Sequence, residues 1–350
     1  MTTPAPVFDG HNDVLLRLWL KKGADPVESF VNGDGLGHLD LPRMVKGGFA
    51  GGFFAIFAPS PSDPDWVDDD DLNPPSTGPI DQQSALAATM EMAALLLRIE
   101  GLSRGHLKLC RSALDVRSAM AAGQIAAILH IEGAEAIDVD LRALDVLHAA
   151  GLRSIGPVWS RSNIFGHGVP FRFPSSPDIG PGLTEAGKRL IRRCNERGIL
   201  IDLSHLNEKG FWDVAEVSSA PLIATHSNAH ALCASSRNLT DDQLRAIGQS
   251  GGMVGLNFAN GFLRADGRWA SEEGLDAPLR HLDHLIRHAG EDHVGFGSDF
   301  DGAKIPTQIN DVTGLPALLE AMRRAGYGEA VIAKITHENW IAALHRTLGG

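Results

Sequence analysis

The sequence has few cysteines and an excess of acidic over basic residues. Its only cysteines are Cys110, Cys194 and Cys233, which are widely spaced and form no CxxC pair. We therefore expect neither a disulfide framework nor a thiolate zinc site, and such cysteine use fits a reducing compartment. Lys and Arg number 31 against 43 Asp and Glu, a formal net charge of −12. This charge argues against binding to nucleic acid or to an anionic membrane surface.

Long apolar runs are also missing. The longest stretches, such as residues 92–97, reach about a third of the length of a membrane-spanning helix. Residues 1–6 lack the basic and apolar regions of a secretory signal, and residues 345–350 lack the apolar tail of a lipid anchor. We therefore expect a cytoplasmic protein with no membrane association.

The rest of the composition is that of a globular chain, with 43% apolar and 21% charged residues in a length of 350. Two stretches without apolar periodicity, at about 58–80 and 163–182, interrupt one continuous pattern of periodic segments. We interpret them as long loops within a single domain that spans residues 1–350, and loops of this length are often functional.

The periodic segments alternate between two kinds. Eight short apolar or β-branched runs are strand candidates, at 7–14, 49–57, 125–131, 152–158, 199–204, 222–225, 253–258 and 293–298. Longer amphipathic segments predict helices at 82–101, 138–149, 184–197, 208–217, 240–249, 275–289 and 312–324. Thr184 and Thr240 are expected to cap helix starts, and Gly198 and Gly251 to follow helix ends. Eightfold alternation predicts an α/β fold of the (β/α)8 TIM-barrel type, with a doubly wound open sheet as the alternative.

Polar side chains lie at the C-terminal ends of these strand candidates, which is where the active sites of barrel enzymes are found. His11 and Asp13 are two residues apart on the first candidate, and Glu132 closes the third. His205 and His226 end the fifth and sixth, and Asp299 follows the eighth. Each residue alone has an ordinary explanation, such as a hydrogen-bonded pair or a solvated acid. At one rim of a barrel, this combination predicts a metal centre of the metal-dependent hydrolase type.

The number of candidate ligands favours two ions. A catalytic zinc ion uses about three protein ligands, so five exceed the need of one ion. Glu132 can bridge two Zn2+, with His11 and Asp13 on one ion and His205 and His226 on the other. A hydroxide held between the ions is a nucleophile at neutral pH, and Asp299 remains free to move protons. We interpret His130 as a packing histidine on the opposite side of the strand from Glu132.

Five segments together resemble the renal or membrane dipeptidase family of two-zinc barrel enzymes, which is related to the amidohydrolases. They are DGHND (9–13), HIEGAEAI (130–137), DLSH (202–205), ATHSNAHALCASSRN (224–238) and GFGSDFDG (295–302). The resemblance spans nearly the whole chain in the same order. It implies the ligand set given above, with Glu132 as the bridge, and suggests a homodimer. It also implies that Arg237 holds the substrate's C-terminal carboxylate and that Asp299 lies near the scissile bond and the substrate amine.

The chain departs from the family pattern at one position. Where many members carry a histidine that contacts the substrate carbonyl, this sequence has Trp159, which can donate one N–H but cannot titrate. His167 lies eight residues later in the 163–182 loop and is a candidate replacement. Arg237 suits its implied role because a guanidinium clamps a carboxylate through two bonds. At a fixed distance from the scissile carbonyl, such a clamp selects short substrates.

The sequence therefore predicts a zinc-dependent dipeptidase that cleaves free dipeptides. Asp299 and Glu132 are the predicted catalytic residues, and Arg237, Asp299, Trp159 and His167 the predicted substrate-binding residues. Two alternatives remain open. One is a related binuclear amidohydrolase that acts on N-acyl amino acids or lactams, and the other is a barrel that binds metal or ligand without turnover.

Overall fold

Parallel strands dominate the computed structural model, which describes residues 5–60, 78–269 and 274–349. Strands are short apolar runs, as is usual for parallel sheets that helices cover. Within those residues the strands are β1 (Val7–Asn12), β2 (Phe49–Phe57), β3 (Leu107–Leu109), β4 (Ile125–Glu132), β5 (Leu152–Ile155), β6 (Leu200–Ile201), β7 (Ile223–Ala224), β8 (Met253–Leu256) and β9 (Val294–Phe296).

Eight of these strands form the barrel in the order β1-β2-β4-β5-β6-β7-β8-β9, and β9 pairs with β1. Between β6 and β7 the ring is closed by a parallel bridge of Asp202 with Ile223, where Leu203 N donates to Ile223 O at 2.8 Å. The predicted (β/α)8 fold is confirmed, as are all eight strand candidates. Most strands end earlier than predicted because the backbone turns once it reaches the rim. The short β3, which pairs with the first three residues of β4, was not predicted.

Helices follow the strands around the barrel. In the described part of the chain they are α1 (Val14–Leu20), α2 (Pro26–Asn32), α3 (Leu41–Gly47), α4 (Gln82–Leu102), α5 (Ala113–Ala121), α6 (Arg142–Ala150), α7 (Glu185–Arg197), α8 (Glu208–Val217), α9 (Asp241–Gln249), α10 (Asn260–Leu263), α11 (Asp276–Ala289), α12 (Leu315–Arg324), α13 (Glu329–Ala333) and α14 (Asn339–Leu348). The seven predicted helices correspond to α4, α6, α7, α8, α9, α11 and α12. The seven that were missed have ten residues or fewer, but length alone does not explain this, because the predicted α6, α8, α9 and α12 have nine or ten residues.

The predicted helix boundaries are supported by capping contacts. Thr184 accepts a hydrogen bond from Gly187 N at the start of α7, and Thr240 forms a capping box with Gln243 at the start of α9. Gly198 ends α7 in the left-handed conformation, with φ 61° and ψ 41°. These contacts satisfy backbone groups that a helix end otherwise leaves unpaired.

A buried apolar cluster fills the barrel below the rim. Its members from the barrel strands all come before the last residue of their strand, so they form the floor of the site: Phe8, Phe53, Ala126, Ile128, Leu200, Ile223 and Met253. Trp340 of α14 joins this cluster, and its indole N–H donates to Phe296 O at 2.9 Å. The polar rim therefore rests on a close-packed base.

The predicted loop at 163–182 reaches the rim. Val169 N donates to His205 O at 2.9 Å, and the Phe171 ring lies 6.4 Å from the His205 ring. Most of the predicted loop at 58–80 lies outside the described residues. None of the helices within the described ranges is long and apolar enough to cross a membrane. The single-domain organisation, the cytoplasmic location and the homodimer stay predictions.

Candidate metal centre and active site

An extra residue in β1 sets the position of His11. Asp9 is aligned with Gly52 and Asn12 with Phe54, so three steps along β1 match two along β2. Such a bulge changes the face to which the following side chain points. His11 is completely buried, and its ring stacks on that of His226 with centroids 3.8 Å apart.

The five predicted ligands converge around Glu132. Its Oε1 lies 2.7 Å from His205 Nε2, 3.3 Å from His226 Nε2 and 3.7 Å from His11 Nε2. Asp13 Oδ2 lies 3.2 Å from His11 Nε2. Two groups with ligand atoms within 4.8 Å of one another result, and Glu132 belongs to both: His11, Asp13 and Glu132, and Glu132, His205 and His226. This is the arrangement that a bridging carboxylate requires.

Unpaired buried atoms show that this cluster fits a cation. His11 Nδ1 and Nε2 and Asp13 Oδ1 are buried and find no hydrogen-bond partner within residues 5–60, 78–269 and 274–349, a costly state for polar atoms. Burial raises the pKa of Glu132 well above its ordinary value, and Asp13 adds to this effect while His11 opposes it. Burial alone would lower the pKa of His11, but the negative charges of Glu132 and Asp13 raise it to about 10, which shows how strongly these two carboxylates favour a positive charge here.

The other two histidines are suited to coordination. Burial lowers the pKa of both His205 and His226 well below the ordinary value, which keeps their imidazoles neutral, as metal ligands must be. His205 Nδ1 lies 2.8 Å from Ser160 Oγ, and His226 Nδ1 lies 2.8 Å from Thr225 Oγ1. These contacts hold each ring with Nε2 directed at Glu132, the usual way in which proteins orient histidine ligands.

Asp202 supports this arrangement from below and was not predicted. Its carboxylate accepts from Thr225 Oγ1 and Ser204 Oγ, both at 2.6 Å, and from Thr225 N at 2.9 Å. Ser204 Oγ in turn accepts from His226 N at 3.1 Å. An acidic residue within the segment DLSH was the available signal. Ser204 lies in the same segment, but the other partner, Thr225, follows the next strand, and the sequence does not indicate this contact.

The interpretation of His130 was wrong in one respect. Residues two apart on a strand share a face, so His130 lies on the same side as Glu132 and inside the barrel. Its ring centroid is 5.5 Å from that of His11, and its Nδ1 is 2.8 Å from Ser154 Oγ. Burial lowers the pKa of His130 to about 3, which makes it a neutral packing histidine beneath the cluster.

Asp299 lies at the same rim in a left-handed backbone conformation, with φ 61°. Its Oδ2 accepts a hydrogen bond from Asn257 Nδ2 at 2.9 Å, and burial raises the pKa of Asp299 to about 6. A Cβ placed on Gly302 would lie 2.2 Å from Asp13 Oδ2 and 2.6 Å from Asp299 Oδ1. Because Gly302 has no side chain, the carboxylates of Asp13 and Asp299 can both lie next to it. Asn257, which follows β8, was missed although it is the polar residue at that strand end.

Arg237 is a buried cation beside the cluster, 2% exposed. Its Nη1 donates to Ser227 Oγ at 2.8 Å and its Nη2 to His226 O at 2.9 Å, while Nη2 lies 3.2 Å from His205 Nε2. Burial lowers the pKa of Arg237 to about 10, so it is still charged at neutral pH. Its Nε has no hydrogen-bond partner among the described residues. A buried charge of this kind favours an anionic ligand.

The two remaining predicted residues differ in position. The Trp159 ring packs against Phe57, Phe171 and His205, with centroids 4.7, 5.3 and 5.8 Å away, and so forms a wall beside the cluster. His167 is half-buried, and its Nδ1 lies 2.9 Å from Ser162 Oγ. It does not belong to any of the ligand groups found in the described part of the chain, so its role as a replacement for the family histidine stays a prediction.

Comparisons with known proteins agree with this geometry. Residues 1–347 match the family model of membrane dipeptidases, peptidase family M19. A protein of the pqqA 5′ region of Klebsiella pneumoniae is 51% identical over 254 residues, which cover 73% of this chain and 94% of that protein. The crystal structure of a metallo peptidase from Rhodobacter sphaeroides, liganded with a phosphinate mimic of the dipeptide L-Ala-D-Ala, is 58% identical, with a TM-score of 0.93 over 98% of this chain and 99% of that one. The crystal structure of the dipeptidase AC has the same identity and TM-score and covers both chains completely.

Proposed function

Because the chain belongs to the membrane dipeptidase family, peptidase family M19, we propose that it hydrolyses the peptide bond of free dipeptides with two bound zinc ions. The observation that carries this proposal is the position of Glu132, whose Oε1 lies within 3.7 Å of three histidine Nε2 atoms. Arg237, a buried cation next to these histidines, adds a site for the substrate's carboxylate.

In this proposal His11 and Asp13 would hold one zinc ion, His205 and His226 would hold the other, and Glu132 would be a ligand of both. When bound, the two ions lower the pKa of a water molecule to about 7 and polarise the substrate carbonyl. The unpaired buried atoms of His11 and Asp13 support this assignment, since coordination satisfies them. Ser160 and Thr225 keep the imidazoles of the second pair in position.

Arg237 and Asp299 orient the substrate and transfer its protons. The guanidinium binds the C-terminal carboxylate and so holds the scissile carbonyl at a fixed distance, which lowers the entropic cost of alignment. Asp299 takes the proton from the attacking water as the new C–O bond forms. It then delivers this proton to the leaving nitrogen as the C–N bond breaks. The raised pKa of Asp299, about 6, is suited to both steps near neutral pH.

The similarity to the Rhodobacter sphaeroides protein extends the proposal to dipeptides with a D residue at the carboxyl end. That protein is liganded with a phosphinate mimic of L-Ala-D-Ala. Phosphorus in a phosphinate is tetrahedral, as is the carbonyl carbon in the transition state of amide hydrolysis, and such analogues bind tightly to hydrolases. In the present chain, Trp159 and Phe171 line the side of the cluster and limit the space for a substrate side chain.

Steady-state hydrolysis by the zinc-loaded protein tests this function. The panel contains L,L and L,D dipeptides, tripeptides that extend them, and N-acyl amino acids and lactams. We expect the highest kcat/KM for dipeptides. A higher kcat/KM for N-acyl amino acids or lactams would favour the amidohydrolase alternative. Absence of turnover of every compound in the presence of zinc would favour a non-catalytic barrel.

A further inference from the structure

A second cluster of potential metal ligands lies on the outer helices, apart from the barrel rim. Asp241 is the first residue of α9, and His284 and His288 lie four residues apart on α11 and therefore on one face of that helix. His284 Nε2 is 2.6 Å from Asp241 Oδ1, and His288 Nε2 is 3.6 Å from Asp241 Oδ2. The two imidazole rings are stacked with centroids 4.3 Å apart.

We propose that Asp241, His284 and His288 form a third divalent-metal site, which takes zinc or another transition-metal ion that prefers imidazole. Their three ligand atoms all lie within 4.8 Å of one another. Tetrahedral zinc with bonds of about 2.0–2.2 Å needs ligand atoms about 3.3–3.6 Å apart, so small rotations of the side chains suffice. The side chains are 35%, 13% and 18% exposed, in the order named, and an ion can reach them from solvent.

The charges of the cluster suit such an ion at neutral pH. Burial alone would raise the pKa of Asp241, but the hydrogen bond from His284 holds it below its ordinary value, so the carboxylate is ionised. Burial lowers the pKa of His288, which keeps this imidazole neutral. Two imidazoles and a carboxylate are a donor set that zinc takes in many proteins.

Arg245 opposes metal binding by this cluster, so replacing Arg245 gives a test of the site. Its Nη1 donates to His288 Nδ1 at 3.1 Å, and a neutral imidazole that accepts there carries its proton on Nε2. To bind a metal through Nε2, His288 has to move this proton to Nδ1, and the guanidinium has to leave. Because the Arg245 side chain is 47% exposed, it can swing into solvent. Removal of Arg245 therefore weakens an ion-pair network but strengthens metal binding.

A bound ion would connect the start of α9 to α11. Asp241 follows Arg237 by four residues, so this connection anchors the segment that enters the active site. An ion that binds the folded chain and not the unfolded one stabilises it in proportion to the logarithm of its concentration. The inference does not use the central cluster and is independent of the proposed function.

The test compares zinc binding by the zinc-loaded wild type and by variants in equilibrium dialysis, with thermal unfolding followed at the same free zinc concentrations. His288→Asn removes one ligand and leaves the hydrogen bond between His284 and Asp241 in place. His345→Asn removes an exposed histidine of α14 and is the matched control. Arg245→Gln removes the opposing charge.

We expect wild type and His345→Asn to bind one more zinc equivalent than His288→Asn. Their Tm should also rise more steeply with free zinc than that of His288→Asn, in which only the central cluster binds zinc. Arg245→Gln should bind this additional equivalent several-fold more tightly. Hydrolysis of dipeptides should be the same in all four proteins. Equal zinc binding by wild type and His288→Asn, or weaker binding by Arg245→Gln, overturns the proposal, because these are the results of an ion-pair network without a metal.

Discussion

Replacement of Arg237 by Met gives the sharpest test of how the site recognises its substrate. The Met side chain fills much of the same volume as that of Arg237 but has no charge and no hydrogen-bond donor. Hydrogen bonds to charged groups contribute about 1.5–3 kcal/mol each, so loss of a two-bond clamp on a carboxylate removes about 3–6 kcal/mol. This corresponds to a decrease in kcat/KM of about 10²–10⁴-fold for a free dipeptide.

The same dipeptide with a C-terminal amide provides the comparison. A neutral C-terminal amide offers the guanidinium only its carbonyl oxygen, because its NH2 group is a donor. Loss of this one hydrogen bond to a charged group, about 1.5 kcal/mol, should lower its kcat/KM by about tenfold. The assay is the ratio of kcat/KM for the two substrates, which does not depend on the fraction of active protein. An equal loss for both substrates would refute the assignment of Arg237 to the carboxylate.

Arg161→Met is the matched control for this prediction. Arg161 is also 2% exposed, and its Nε donates to Glu135 Oε1 at 2.9 Å instead of lying beside the clustered histidines. Loss of one partner of a buried ion pair destabilises a protein by about 3–5 kcal/mol. Arg161→Met should therefore lower the yield and the thermal stability of the protein while the ratio of the two substrates stays that of the wild type.

Three further changes test the cluster. Glu132→Gln should lose bound zinc, measured by metal analysis after dialysis, and wild-type zinc content would contradict the bridge. Gly302→Ala places a Cβ 2.2 Å from Asp13 Oδ2 and 2.6 Å from Asp299 Oδ1. Overpacking of about 1–3 kcal/mol at this point should lower kcat/KM by about 10–100-fold, with far-UV circular dichroism unchanged. Asn257→Leu removes the bond to the Asp299 carboxylate and should lower kcat by about tenfold with little change in KM, and an unchanged kcat would argue against Asn257 as a positioning residue.

Much of the fold could be predicted because each strand carries its own signal. Apolar runs such as 125–131 are followed by amphipathic segments, and this alternation is specific to parallel α/β proteins. Short elements such as β3 and α10 contain too few residues to show a period. Their positions depend on packing against β4 and on the rim loops, which a local pattern does not contain.

The predicted ligands share a local signal, whereas the residues that support them do not. His205 and His226 each close an apolar run, and this placement pointed to the rim. The supporting roles of Asp202 and Asn257 depend on partners in other strands, at Thr225 and Asp299, and no spacing along the chain indicates them. The Asp241, His284 and His288 cluster was missed for the same reason, since it joins two helices more than 40 residues apart.

The order of side chains along the polymer determined which chemical groups would stand at the rim, because every strand of a parallel barrel runs in the same direction. Only the tertiary structure decided how these groups are arranged relative to one another. A one-residue bulge in β1 turns His11 inward, and closure of the ring between Asp202 and Ile223 brings the ends of distant strands together. Groups more than 200 residues apart thereby come within 4 Å of Glu132, at a depth where burial makes their unpaired atoms costly. This cost of burying unpaired polar atoms exists only in the folded chain, and it is the physical reason why this rim favours cations.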